Sequence, residues 1–221
     1  SVARDCVSLS TRKYIQATAE MFLVGDNALD KHPMYSSPAD PSIRSMYEEA
    51  ARRTIPADAA LKKSYPAKVG RLIYASPAGR PDCSFTIGML ARCMTFPTPD
   101  MDRCADRCIA YLAQNCDDAL VYSRDGSDEL ECYCDSDWCT HHSTSGWCIS
   151  LAGAAIGYGS KRQHCVALSS TEAEIMAASQ AACEIIYFRR LLRDLGRPCS
   201  RPTVLHCDNQ GAVELSKDRK A

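Results

Sequence analysis

The feature that most restricts the fold is a change of hydrophobic period near residue 125. Upstream, between Ala67 and Leu112, apolar residues recur at helical spacing; downstream, Leu130, Cys132 and Cys134 alternate with Glu129, Glu131, Tyr133 and Asp135. A helical stripe cannot serve as a half-buried strand, nor strict alternation as a helix, so the two parts need different architectures. The polar turn sequence Ser-Arg-Asp-Gly-Ser-Asp at 123–128 marks the boundary between them.

The N-terminal stretch predicts a short strand through Cys6, Val7 and Leu9, then a helix opened by Ser10 and carrying Tyr14, Ile15, Thr18 and Phe22. Between Leu29 and Pro66, Pro33, Pro38, Pro41, Pro56 and Pro66 predict a mostly extended connection broken by one polar helix near Met46–Arg53. Three short amphipathic helices follow. One covers Ala67–Ala75, a second Asp82–Met94 with Phe85, Met89 and Cys93 on one stripe. The third is capped by Thr98, has Pro99 at its first position, and places Met101, Cys104, Cys108 and Leu112 on one face. The expected division is a strand, helix and connection over 1–66, a helical subdomain over 67–122 and a third region over 123–221.

In that third region the pattern predicts strands ending near Asp135, over Gly146–Leu151 and through Ile156 and Tyr158 toward Lys161. A long helix over about Thr171–Leu195, a strand over Thr203–Cys207 and a helix around Ala212–Leu215 complete it. Three strands, a helix, a strand and a helix make an α/β layer with a mixed sheet.

Charge and cysteine content narrow the function classes. Lys plus Arg is 26 against 27 for Asp plus Glu, a net charge of -1, so a nucleic-acid site must be a local patch. The 14 cysteines are scattered singly, with no Cys-x-x-Cys pair, and Cys104 and Cys108 fall at i, i+4 beside apolar residues. Buried thiols in a reducing compartment are favoured over a disulfide scaffold or a zinc site. His141 and His142 read as loop residues. No run approaches the roughly 20 apolar residues of a membrane span, and Ser1–Asp5 leads into no apolar signal segment, so neither a membrane nor a secretory role is expected.

Asp135 and Asp208 fall at strand ends, where α/β sheets gather reactive groups, and Glu174 lies in the first turn of the long helix. At about 100° per residue Glu174 shares the stripe of Ala178, Ala181, Ile185 and Leu192, whereas Glu172 is rotated roughly 160° away. Ser169-x-x-Glu172 and Thr171-x-x-Glu174 both fit a capping box, which assigns capping to Glu172 and leaves Glu174 on the apolar face in need of a partner. Three converging acids repel one another unless a divalent cation joins them, and an all-oxygen set suits Mg²⁺ or Mn²⁺. Strand-end turn capping is the alternative use of the two aspartates.

The wording of the motifs carries a resemblance. Asp-Ser-Asp-Trp at 135–138, Ser-Thr-Ser-Gly-Trp at 143–147, Ser-Lys-Arg-Gln at 160–163, Val-Ala-Leu-Ser-Ser-Thr-Glu-Ala-Glu at 166–174 and Cys-Asp-Asn-Gln at 207–210 resemble the ribonuclease H domain of copia-type LTR retrotransposon polyproteins. Upstream, Leu-Ser-Thr-Arg-Lys-Tyr-Ile at 9–15, Val-Gly-Arg-Leu-Ile-Tyr at 69–74, Arg-Pro-Asp at 80–82 and Ala-Tyr-Leu at 110–112 are similar to the stretch after the reverse-transcriptase palm. The resemblance implies a ribonuclease H-like mixed sheet with flanking helices, preceded by a mostly helical thumb-like subdomain that holds primer-template duplex.

The same resemblance implies catalytic, metal-binding carboxylates at Asp135, Glu174 and Asp208. They would hold two Mg²⁺ or Mn²⁺ ions about 4 Å apart for in-line hydrolysis of the RNA strand of an RNA–DNA hybrid, leaving a 5′-phosphate and a 3′-hydroxyl. Lys161, Arg162, Arg189, Arg190, Arg193, Asn209 and Gln210 are the expected nucleic-acid contacts, with a solvated helix face as the other use of the last three arginines. Implied partners are the hybrid, the primer-template duplex and the remainder of the polyprotein, namely palm, fingers and integrase; the implied location is a cytoplasmic particle and then the nucleus.

Three departures from the family pattern are visible. No Tyr-x-Asp-Asp strand is present, so polymerase activity is not expected of this chain. The sequence stops at Ala221, before the family's His-x-Asp segment with its fourth acid, so the expectation is weakened turnover, or a non-catalytic binding remnant. The link from Trp138 to Ser143 is also shorter than the family's, which alters the first hairpin more than the acids.

Overall fold

Thr98 and Pro99 set the start of a helix as the sequence requires. Proline has no N–H to leave unbonded at the first position, and the Met101 N–H donates to the Thr98 hydroxyl at 3.3 Å. The computed structural model describes residues 5–53, 56–139 and 142–217. In chain order the elements are β1 (Cys6–Leu9), α1 (Arg12–Phe22), α2 (Ile43–Arg52), α3 (Ala59–Ala75), α4 (Ser84–Ala91), α5 (Pro99–Gln114), β2 (Leu120–Ser123), β3 (Glu131–Asp137), β4 (Thr144–Leu151), β5 (Ala154–Arg162), α6 (Ser170–Asp194), β6 (Val204–His206) and α7 (Gln210–Lys217). They form two units, one spanning Leu9–Leu120 and the other Val121–Ala221 with the N-terminal strand.

In the first unit α5 contacts α1, α2, α3 and α4, and buries the expected Met101, Cys104, Cys108 and Leu112. Ile15, Ile43 and Ala50 enter the same core as Tyr65, Val69, Leu72, Leu90 and Ile109, so the segments the sequence separates at 66/67 are one hydrophobic body. The expected connection is also shorter than anticipated. Helix α3 begins at Ala59 and runs through Pro66. A proline inside a helix costs about 3 kcal/mol. Burial of Tyr65, Val69, Leu72 and Ala75 on one side of α3, and a 2.8 Å hydrogen bond from the Tyr65 hydroxyl to the Leu90 carbonyl, offset that cost.

The Arg-Pro-Asp motif has a structural use. Arg80, 2% exposed, donates from Nε and Nη2 to both Asp82 oxygens at 3.0 and 2.7 Å, and from Nη1 to the Asn115 carbonyl at 2.8 Å. Burial alone would raise the Asp82 carboxyl, but the paired guanidinium outweighs burial and holds it below its ordinary value. A carboxyl depressed in the folded state contributes stability above its unfolded value of about 3.9 and loses it as pH falls through the folded value. Unfolding midpoints in urea are therefore expected to drop on acidification below about pH 4, and to drop less in Asp82→Asn. Equal acid sensitivity in the two proteins would remove Asp82 from this account.

In the second unit the sheet order is β5-β4-β3-β6, with β3 antiparallel to β4 and parallel to β6. The sequence anticipates this mixed sheet and its long helix; β2, which pairs with β1 in a separate two-stranded sheet, was not anticipated. Helix α6 lies against β3 and β4. Gly157 and Gly159 keep β5 bare where Phe188 and Trp147 lie on it, since a Cβ at Gly157 would collide with the Phe188 ring and one at Gly159 would meet the Trp147 indole at 2.9 Å. Cys132, Cys134, Ile149, Ala181 and Ile185 form the centre of this core. All fourteen cysteines are free thiols, and the six buried ones fit the reading as small apolar side chains. No helix among the described residues is long and apolar enough to cross a membrane.

Candidate metal centre

Two glutamates near the start of α6 divide their work as helix rotation requires. The Ser169 hydroxyl accepts from the Glu172 N–H at 3.1 Å, and the Glu172 carboxylate reaches back to accept from the Leu168 N–H at 2.6 Å. Glu172 thus belongs to the cap. Glu174, 5% exposed, faces the sheet instead. Its Oε1 accepts from the Ser136 N–H at 3.0 Å and the Ser136 hydroxyl at 2.7 Å, which leaves Oε2 facing the Cys207 thiol at 3.7 Å. A buried carboxylate with two such donors is fixed in orientation.

Asp208 lies just beyond β6, and Glu174, Cys207 and Asp208 offer donor atoms all within 4.8 Å of one another. This is the metal-capable group among the described residues. Burial raises the Cys207 thiol above its ordinary value, and neighbouring Glu174 adds to the shift. Two hard oxygen ligands fit Mg²⁺ or Mn²⁺.

Asp135 does not join that group. It is the fifth of seven residues in β3, whereas the sequence reading ended the strand there. Alternation turns Cys132 and Cys134 toward the core and leaves Asp135 exposed. Its level in the sheet matches that of Asp208. Tyr133 pairs with His206 across the parallel β3–β6 ladder, so Asp135 and Asp208 each lie two residues further toward the carboxyl ends of neighbouring strands.

The expected nucleic-acid contacts separate into groups. Lys161 and Arg162 are exposed at the end of β5, and the ladders Ser136–Ser145–Lys161 and Asp137–Thr144–Arg162 carry them across the same end of the sheet as the acids. Arg189 has a structural use that competes with phosphate contact: its guanidinium donates to the Arg201 carbonyl at 2.7 Å, the Thr203 hydroxyl at 3.0 Å and the Cys199 carbonyl at 3.2 Å, tying α6 to the chain before β6. Arg190 and Arg193 are exposed on that helix, and Arg193 lies near Asp194. Asn209 caps α7, its Oδ1 accepting from the Ala212 N–H at 2.9 Å, and Gln210 donates to Glu214 at 3.0 Å. His142 is a loop residue against the Gln163 carbonyl at 3.1 Å; His141 lies outside the described residues.

Sequence reasoning missed Ser136, Gln163 and Cys207. Gln163 Nε2 donates to the Ser145 hydroxyl at 3.0 Å and the Ala173 carbonyl at 2.9 Å, pinning the first turns of α6 to the sheet. The only signal for these residues lay in their position inside the quoted motifs. A separate cleft of about 320 Å³ holds Asp128, Glu129, Arg197 and Arg201, and its charges pair off as Arg197–Asp128 at 3.7 Å and Arg201–Glu129 at 3.2 Å, far from a catalytic arrangement.

No protein-family profile matches the chain. It is 32% identical over 215 residues, 95% of its length, to the retrovirus-related Pol polyprotein from transposon TNT 1-94 of Nicotiana tabacum. It is 34% identical over 151 residues, 66% of its length, to that from transposon RE2 of Arabidopsis thaliana. The chain spans 16% and 10% of those two proteins. It is also 35% identical over 127 residues to the secreted RxLR effector protein 161 of Plasmopara viticola, covering 56% of this chain and 89% of that protein.

Proposed function

The chain belongs to the retrovirus-related Pol polyproteins of copia-type transposons, and from that premise we propose that its second unit is a ribonuclease H that hydrolyses the RNA strand of RNA–DNA hybrids. The observation that carries this reading is Glu174: a buried acid aimed at the sheet, held by Ser136 and brought beside Asp208 while its neighbour Glu172 does the capping.

In this reading Glu174 and Asp208 hold divalent metal, and Asp135, exposed at the matching level of the adjoining strand, supplies the third carboxylate. Bound Mg²⁺ or Mn²⁺ contributes activation of the attacking water and stabilisation of the leaving 3′ oxygen. Ser136 keeps the Glu174 carboxylate from rotating, and Gln163 keeps the helix start against the sheet, so Glu174 holds its place as charge develops. Lys161 and Arg162 contact backbone phosphates, and hybrid selectivity rests on backbone and 2′-hydroxyl contacts with little dependence on base sequence. The Leu9–Leu120 unit corresponds to a thumb-like duplex holder, and the remaining palm, fingers and integrase segments of a Pol polyprotein are its partners, in a cytoplasmic particle and then the nucleus.

Strand selectivity tests this reading. With Mg²⁺, the RNA strand of a hybrid is expected to be cut to 5′-phosphate products, while the DNA strand and an all-DNA duplex stay intact and chelation stops the reaction. Equal cutting of both strands would contradict it.

A further inference from the structure

Beside the two carboxylates stands a thiol that hydrolysis on Mg²⁺ does not use. Cys207 Sγ is 3.7 Å from Glu174 Oε2, and with the Asp208 carboxylate the three donor atoms lie within 4.8 Å of one another. A tetrahedral zinc with Zn–S of about 2.3 Å and Zn–O of about 2.0 Å sets its sulfur and oxygen ligands about 3.5 Å apart. The existing Cys207–Glu174 separation already matches that edge. Thiolate and carboxylate together select Zn²⁺, Co²⁺ or Cd²⁺ over Mg²⁺, which gains nothing from sulfur.

We propose that Glu174, Cys207 and Asp208 form a site for a thiophilic divalent cation, zinc above all, whose occupation withholds the two carboxylates from Mg²⁺ and so switches the site off. On binding, a metal–sulfur bond replaces the S–H bond of Cys207 and the proton passes to water. The fourth coordination position is filled by water. Only the inhibitory consequence rests on the hydrolytic reading; metal capture rests on the donor geometry alone.

The test is a titration of the full chain with Co²⁺ in the absence of nucleic acid, followed by sulfur-to-cobalt charge-transfer absorption and reversed by Zn²⁺. One equivalent is expected to develop the band. Cys207→Ser is expected to abolish it and weaken binding at least about tenfold, Asp208→Asn is expected to weaken binding by a similar factor while the protein keeps its far-ultraviolet circular dichroism, and Cys165→Ser, at an exposed thiol, is expected to keep the band. A band that survives in Cys207→Ser, or binding unaffected by Asp208→Asn, would place the cobalt on other cysteines and overturn the proposal. In the second arm, micromolar Zn²⁺ is expected to suppress Mg²⁺-dependent cleavage. A chain that gives the Cys207-dependent band yet never cleaves a hybrid would retain the metal site and lose the hydrolytic reading. Cleavage that is indifferent to Zn²⁺ would retain hydrolysis and overturn the switch.

Discussion

Glu174→Gln is expected to lower Mg²⁺-dependent cleavage of a hybrid by at least about a thousandfold, whereas Glu172→Gln leaves the rate within about threefold. The two residues sit in the same turn of one helix, so the contrast isolates direction of the side chain from everything else about the region. Glutamine at 174 keeps the shape and still accepts from Ser136 through its oxygen, so the helix stays docked on the sheet; what disappears is the negative charge that, in the proposed reading, holds a cation beside Asp208. A thousandfold loss corresponds to about 4 kcal/mol of transition-state stabilisation, in the range of one lost charged group at a preorganised site. Glutamine at 172 still accepts from the Leu168 N–H, and changes only a cap. Single-turnover rates of the two variants on one hybrid preparation, with circular dichroism to confirm folding, measure the contrast. Equal losses would mean that Glu172 shares the chemistry, and equal retention would remove Glu174 from it.

The second large effect concerns stability of the Leu9–Leu120 unit. Lys68 Nζ lies 2.6 Å from Asp106 and 2.9 Å from Asp102, with only 10% of the lysine side chain exposed against 12% and 20% for the aspartates. Burial disfavours the ammonium, but its donation to Asp102 and its ion pair with Asp106 outweigh burial and raise Lys68. At Asp106 burial wins and the carboxyl is raised even with the lysine present. Lys68→Met therefore strands one buried and one half-buried acid, and the expected loss is about 3–5 kcal/mol at pH 7. A carboxyl whose folded value is raised gains stability as pH falls through that value, because the folded state then takes up the proton first. Part of the deficit of Lys68→Met is accordingly expected to return on mild acidification. Hydrogen exchange of α3 and α5 amides, compared in wild type and variant at neutral and mildly acidic pH, reads this unit directly. A variant within about 1 kcal/mol of wild type at pH 7 would show that the three charges are solvated in practice.

Much of this arrangement was legible because local chemistry and tertiary structure agree. Thr98-Pro99 specifies a helix start by itself, alternation around Cys132 and Cys134 specifies a half-buried strand, and the 3.6-residue period assigns Glu172 and Glu174 opposite tasks. The failures occur where long-range packing overrides a local signal. Pro66 reads as a helix breaker, yet Tyr65 is fully buried and bonded to Leu90, a partner 25 positions away that no local pattern reveals. Asp135 reads as a strand terminus because the sequence cannot show that Ser136 and Asp137 continue to pair with β4. Lys68 gave no signal at all, since its two partners lie on another helix. In the site, the sequence expects three acids to converge; the structure brings Glu174 and Asp208 together with Cys207, a residue classed with the inert thiols, and leaves Asp135 apart.

The central claim is that this arrangement of acids hydrolyses RNA paired to DNA, and it is tested most directly by single-turnover cleavage of an end-labelled RNA strand in a hybrid with Mg²⁺ or Mn²⁺, using the chain beside its Asp208→Asn variant. The account predicts metal-dependent cutting that the variant loses. Equal cutting by both proteins, or none by either, would contradict it.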